Sequence, residues 1–257
     1  MLKILLTNDD GFHAEGLQIL YNHLFNKAMV TIVAPDRERS AVGHGITMHQ
    51  PLMVNPISIN GTENWIVNGT PADCVKLGLE SILKETPPDL VISGINRGPN
   101  LGNDILYSGT VSAAVEGFFY QFPSIAVSLA ESGKSDFNPA AAYIAAKLET
   151  LAKLAVNTVL NINFPSSKIR RGKNAAFQAK FTKLGKREYR NVFERRIDPR
   201  GRVYFWMGGE AVLSSETDET DVLAVEEGYV SITPLRLEFT DYRLLENLKS
   251  QAAGLNL

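Results

Sequence analysis

Two carboxylates stand side by side near the start of the chain, Asp9 and Asp10, between the apolar run Lys3-Ile4-Leu5-Leu6-Thr7-Asn8 and Gly11. Adjacent acids repel unless a cation, a proton or a partner residue relieves them, and a hard divalent metal is a common relief. A helix cap is the competing explanation, because an Asp ahead of a helix accepts backbone N–H bonds. Two further runs are rich in oxygen donors, Asp36-Arg37-Glu38-Arg39-Ser40 and Ser93-Gly94-Ile95-Asn96-Arg97-Gly98-Pro99-Asn100. Carboxylate, hydroxyl and amide oxygens suit Mg²⁺, Mn²⁺ or Ca²⁺ better than zinc, which favours nitrogen and sulfur. The single cysteine, Cys74, has no CxxC or histidine-spaced partner, so a thiolate zinc site is excluded and a small core residue is expected.

A fourth run, Tyr107-Ser108-Gly109-Thr110-Val111-Ser112-Ala113-Ala114, is a small, polar turn leading into a helix. Helix starts offer free N–H groups and a positive dipole end to an anion such as phosphate. N-capping by Ser108 or Thr110 accounts for the same residues, but the closeness of Asn96 and Asn100 in sequence favours phosphate. Neither GxGxxG after the first strand nor GxxxxGK[ST] is present, so neither a dinucleotide fingerprint nor a P-loop is indicated. His13, His44 and His49 lie in polar stretches without HExxH spacing. Among them His44, four residues beyond Ser40, is the candidate to protonate a leaving group.

The elements that position these groups follow from apolar patterning. Runs at 4–7, 30–34, 90–93, 125–129 and 159–162 are apolar throughout and alternate with helical stretches at 17–25, 71–83, 111–119 and 140–154. That is the pattern of an α/β fold with a mainly parallel sheet and helices on both faces. The helix at 71 has a marked start, with Thr70 as N-cap, Pro71 in the first position and Asp73 in the first turn. The acid pair follows the first strand, the 36–40 run the second and the 93–100 run the third. In an open parallel sheet those ends share one rim, where ligands bind.

At 257 residues the chain is long enough for a substantial core, with 44% hydrophobic residues and a net charge of −2. No apolar run reaches the roughly 18–20 residues that span a bilayer, and no signal-peptide pattern precedes the first strand, so a cytoplasmic location without membrane partners is expected. Between Lys168 and Arg202 there are 13 Lys and Arg against three acids, a local charge of +10 that leaves −12 on the rest. Aromatic residues are sparse between these charges, so a solvated or subunit-facing arm is favoured over a nucleic-acid surface. The alternating stretch 177–206 about Asp198-Pro199-Arg200-Gly201 predicts a long projecting β-hairpin that docks on a second subunit. An acidic loop at 216–221, a strand at 229–234 and a closing helix at 241–251 complete the chain.

Leu6-Thr7-Asn8-Asp9-Asp10-Gly11 with Gly16, Ala34-Pro35-Asp36-Arg37-Glu38-Arg39-Ser40, Asn68-Gly69-Thr70-Pro71-Ala72-Asp73-Cys74, and Ser93-Gly94-Ile95-Asn96 through Gly109-Thr110 together resemble the SurE (survival protein E) nucleotidases, in order and over nearly the whole chain. The looser stretch is Ala41-Val42, where relatives often carry glycine, a difference that touches loop shape. The resemblance implies a Rossmann-like core with a projecting hairpin and exchanged C-terminal elements in dimers or tetramers. It also implies a metal-dependent phosphomonoesterase acting on nucleoside 5′- or 3′-monophosphates, with short-chain polyphosphate a further substrate in some members. Carried over, one divalent ion, Mg²⁺ or Mn²⁺, is held by Asp9, Asp10, Ser40 and Asn96. The expected chemistry is attack of a metal-activated water on phosphorus, with Asp9 or Asp10 doubling as base and Asn100, Ser108, Gly109 and Thr110 holding the phosphoryl oxygens. Nucleophilic attack by an aspartate is the rival route. A nucleotide- or polyphosphate-binding regulator without turnover is the rival function. The whole chain reads as one domain, 1–165 forming the metal- and phosphate-binding core and 166–257 the oligomer-forming extension.

Overall fold

The structure, a computed structural model, describes residues 1–131, 133, 135–169, 177–190, 192–212 and 219–252. The apolar runs become strands β1 (Lys3–Thr7), β2 (Met29–Pro35), β5 (Leu90–Arg97), β6 (Ser124–Leu129) and β7 (Val159–Phe164), joined by the hairpin β3 (Val54–Ile59) and β4 (Thr62–Val67). Later in the chain come β8 (Ala179–Phe181), β9 (Glu188–Arg190), β10 (Phe193–Ile197), β11 (Val203–Met207), β12 (Glu210–Val212) and β13 (Val230–Leu235). Nine of these form one sheet in the order β3-β4-β2-β1-β5-β6-β7-β13-β8. Strands β4, β2, β1, β5, β6 and β7 run parallel, while β3 pairs antiparallel with β4 and β13 with β7. Counted along the parallel strands alone, this is the Rossmann order 3-2-1-4-5-6, whose reversal falls between β1 and β5.

Helices α1 (Glu15–Leu24) and α4 (Asn138–Leu154) cover one face, and α2 (Pro71–Leu77) and α3 (Gly109–Phe119) the other. The two-residue period of a strand assigns the faces: Ile4 and Leu6 pack with Leu17, Leu20, Ile144 and Leu148, whereas Leu5 packs with Val33, Cys74, Val75 and Val91. Cys74 is thus the small core residue expected, with burial pushing its thiol up. The start of α2 carries a reciprocal cap, Thr70 accepting from the Asp73 N–H and Asp73 from that of Thr70. Beyond Leu77 the helix relaxes into a single π turn, Gly78–Ile82.

Three differences from the sequence reading have local causes. The β3–β4 hairpin was not anticipated, although its turn is Asn60-Gly61, both with positive φ (52° and 78°), the pairing that closes a two-residue hairpin. The expected hairpin begins at Glu188 rather than at 177, pairing β9 with β12 and β10 with β11 in one continuous register, and is closed by Asp198, which accepts N–H bonds from Arg200 and Arg202 (2.8 and 2.9 Å). Strand β8, from the start of the same stretch, instead joins the main sheet beside β13. Finally, Asp221 is not the end of an acidic loop. It opens helix α5 (Asp221–Glu226) behind the Thr220 cap, and it is buried because its carboxylate accepts N–H bonds from Gly102, Gly185 and Val222. The part of that loop at 216–218 lies outside the described residues. The closing helix α6 (Tyr242–Ala252) buries none of its side chains.

Candidate active site

The loop after β1 is shaped by Asn8, whose side chain accepts from the Gly11 N–H (3.2 Å) and donates to the Gly11 carbonyl (2.9 Å). This turn places Asp9 and Asp10 at the point where the strand order reverses. Asp9 is 4% exposed and accepts a hydrogen bond from the Thr110 hydroxyl in the first turn of α3. Its carboxyl is pushed up to about 6, first by burial and further by Asp10, while the Thr110 hydroxyl and N–H pull it back. The approach of α3 is close: a Cβ on Gly109 would lie 2.8 Å from the Asp9 Cβ and 3.0 Å from its Oδ2, so only glycine fits there.

Asp10 is half-buried and accepts the Arg97 backbone N–H at 3.2 Å. Its carboxyl is raised mainly by burial, with the charge of Glu38 adding to that and the Arg97 N–H opposing it. No Lys, Arg or His lies in ion-pair contact with either acid among the described residues. Two neighbouring acids, both raised and with no contacting cation of the protein's own, fit a hard divalent ion. Among the described residues there is no cluster of three His, Cys, Asp or Glu, which agrees with a donor set completed by hydroxyl and amide oxygens.

Asn96 lies at the end of β5, where the pairing with β6 shifts register between Ser93 and Asn96. Such an irregularity re-aims a side chain; the Asn96 amide donates to the Gly98 carbonyl (2.8 Å), leaving its oxygen for another partner. Ser40 belongs to a loop pinned to the site by the Arg39 N–H on the Asp9 carbonyl (2.7 Å), and its hydroxyl donates to Glu38 (2.7 Å). Ser108 is the N-cap of α3, accepting from the Val111 N–H (3.1 Å), so the capping explanation holds for it, while its O–H remains a donor. Thr110 does not cap; its hydroxyl is directed at Asp9. Asn100 is held from behind: Asn161 and Asn163 donate to its carbonyl (2.8 and 3.0 Å), and one of its own amide hydrogens goes to Ser128 (2.8 Å).

The family model described as Survival protein SurE matches residues 4–191. The chain belongs to the SurE family. A "5′-nucleotidase SurE" of Pelotomaculum thermopropionicum is 52% identical over 252 residues, covering 96% of this chain and 94% of its own length. That of Heliobacterium modesticaldum is 49% identical, over 98% of this chain and 93% of its own. The crystal structure of the SurE protein from Aquifex aeolicus aligns with a TM-score of 0.82 at 39% identity, covering 97% of this chain and 99% of that one. The family resemblance and the α/β fold read from the sequence are both borne out.

In this SurE chain the tertiary structure adds two residues that sequence reasoning passed over. Glu38 takes the Ser40 hydroxyl and raises Asp10, and Arg97 supplies the N–H that Asp10 accepts. Both stood inside runs already singled out, but nothing in their spacing distinguished them from loop formers. His44, considered as a proton donor, has its Nε2 bonded to Glu116 (2.7 Å) on the flank of α3.

Proposed function

We propose that the chain hydrolyses nucleoside 5′-monophosphates to nucleoside and phosphate, with Asp9, Asp10, Ser40 and Asn96 holding one divalent ion, Mg²⁺ or Mn²⁺, and the first turn of α3 receiving the phosphoryl group. The observation that carries this reading is the buried Asp9 against the N-terminus of α3. There an acid pair meets a turn whose free donors otherwise suit an anion, and only an intervening cation makes the combination favourable. When bound, the ion supplies charge neutralisation for the phosphoryl oxygens and lowers the pKa of a water.

The chain's own groups do the rest. Gly109 presents its N–H group at the positive end of α3 while Thr110, turned to Asp9, shapes that turn; Ser108 keeps its O–H free to donate, and Asn100 has its second amide hydrogen to offer. Together they orient the phosphoryl group for in-line displacement, which needs positioning and charge stabilisation more than covalent chemistry. One of the two carboxylates takes the proton of the attacking water. The Thr110 hydroxyl keeps Asp9 in a single orientation for this.

The C-terminal part supports a homo-oligomer. Phe193, Arg195 and Ile197 of β10 face Met207, Phe205 and Val203 of β11 in register, forming an exposed, mostly apolar face, and α6 exposes Tyr242, Leu244, Leu245 and Leu248. An apolar hairpin face and a helix with no buried side chain both gain by docking on another subunit. On this reading 1–165 is the catalytic core of a dimer or tetramer, and β13 and β8 of the later part complete its sheet. No described helix is long and apolar enough to cross a membrane.

The decisive experiment is phosphate release from an aryl phosphate and a panel of 5′- and 3′-nucleotides and short polyphosphate, with Mn²⁺, with Mg²⁺ and with EDTA. Release that depends on the cation and favours 5′-nucleotides is expected. Nucleotide binding with no release under any ion would establish a regulator instead.

A further inference from the structure

The loop that carries Ser40 has almost nothing apolar to hold it. Ala41, Val42, Gly45 and Ile46 are exposed, so polar anchors decide where this segment lies. Its ends are pinned by the Arg39 N–H on the Asp9 carbonyl and by Thr47, whose N–H and hydroxyl donate to Asp73 (2.9 and 2.6 Å). Between them, the Gly43 N–H donates to the Tyr107 carbonyl (3.1 Å) and the Thr70 hydroxyl to the Gly45 carbonyl (2.8 Å). Within 41–46 one side chain reaches across to α3: His44 bonds Glu116 at 2.7 Å and stacks on Phe119, with ring centroids 5.7 Å apart and planes within 7°.

Glu116 is an unusual residue for its place. It is the only ionisable side chain of α3, an otherwise small and apolar helix, and it is 7% exposed. A buried carboxylate is costly unless partnered, and its partners are His44 on one oxygen and Lys76 of α2 at 3.7 Å from the other. A carboxylate only accepts, so His44 Nε2 carries its proton toward Glu116. Glu116 also lies six residues along α3 from Thr110, about 9 Å by helix rise. The Nε2 side of the ring is therefore engaged on the flank of the helix.

We propose that His44 is a positioning residue: its bond to Glu116 latches the Ser40 loop across α3, the same rigid helix whose first turn touches Asp9. One element then sets both the 108–110 turn and the loop that brings Ser40, so the two halves of the site keep a common frame. This rests on the assignment of Ser40 to the metal site made above.

The test uses the full chain with His44→Ala, His44→Gln, Glu116→Ala and the double alanine variant, each checked for an unchanged circular dichroism spectrum. Amide hydrogen exchange over 41–46, Mn²⁺ affinity by calorimetry, and kcat and KM on a nucleoside monophosphate and on p-nitrophenyl phosphate are measured. The latch predicts faster exchange, weaker Mn²⁺ binding and a loss on the order of ten- to a hundredfold in kcat/KM in either single alanine variant. It also predicts a double variant no worse than the singles, equal losses on both substrates, and substantial recovery in His44→Gln, whose amide can still donate to Glu116. Unchanged exchange, additive losses, or a loss confined to the nucleotide, whose poorer leaving group needs a proton, would each overturn it. Ser40→Ala is run alongside: wild-type Mn²⁺ affinity there refutes the Ser40 assignment, while altered exchange in His44→Ala still reports on the latch itself.

Discussion

Asp9 concentrates the electrostatics of the site in one side chain. Burial lifts its carboxyl to about 6, against 3.8 for an unperturbed aspartate. Because the folded chain keeps this proton while the unfolded chain loses it, stability from this group falls as pH rises from about 4 to 6, and above that window the metal-free fold is lower by about 3 kcal/mol. Asp9→Asn retains an acceptor for Thr110 and removes the buried charge, so its metal-free form should resist urea better than wild type at pH 7.5, by on the order of 1–3 kcal/mol, while phosphate release drops at least about a hundredfold. A variant with near-normal turnover would refute the metal clamp. Added Mn²⁺ should also raise the melting temperature more at pH 7.5 than at pH 5, where protons compete for Asp9; equal gains at both would show that the ion binds elsewhere. Thr110→Val removes a donor that lowers Asp9, so the midpoint of Mn²⁺ binding against pH should move upward by about one pH unit.

At the scale of elements, the approach of α3 to β1 and the path of the Ser40 loop are the sensitive features. Gly109→Ala puts a methyl group against the Asp9 carboxyl, and this contact should cost most of the activity even if the helix still forms. A normal kcat/KM in that variant would mean the first turn is not seated where it is described. Ala41 sits at φ 56°, the left-handed region that glycine prefers. Ala41→Gly should therefore stabilise or be neutral within about 0.5 kcal/mol, in place of the usual penalty for introducing glycine. Thermal melts of the two proteins decide it.

For the whole molecule, the exposed faces of the β10–β11 hairpin and of α6 are the features a monomer does not explain. Phe205 and Trp206 are 58% and 59% exposed, on opposite faces of the same hairpin. Phe205→Glu combined with Leu248→Glu should lower the mass found by light scattering toward 28.2 kDa while leaving the circular dichroism spectrum intact. An unchanged oligomer would place the subunit contacts on another surface.

The parallel sheet, its covering helices and the rim bearing Asp9, Asp10, Ser40 and Asn96 were legible in the chain, because buried strands and amphipathic helices write their periods into the residues and the motifs lie at strand ends. The hairpin at Asn60-Gly61 was equally legible and was passed over. What no local pattern contained was the pairing of distant groups: Thr110 with Asp9, His44 with Glu116, and Asp221 with the backbone N–H groups of Gly102 and Gly185. Those contacts join positions as many as 119 residues apart. They are products of packing, which brings sequence-remote side chains within bonding distance only after the sheet has closed, and so the tertiary structure alone decided which carboxylates are buried, which are paired and which, among the described residues, have no Lys, Arg or His in contact.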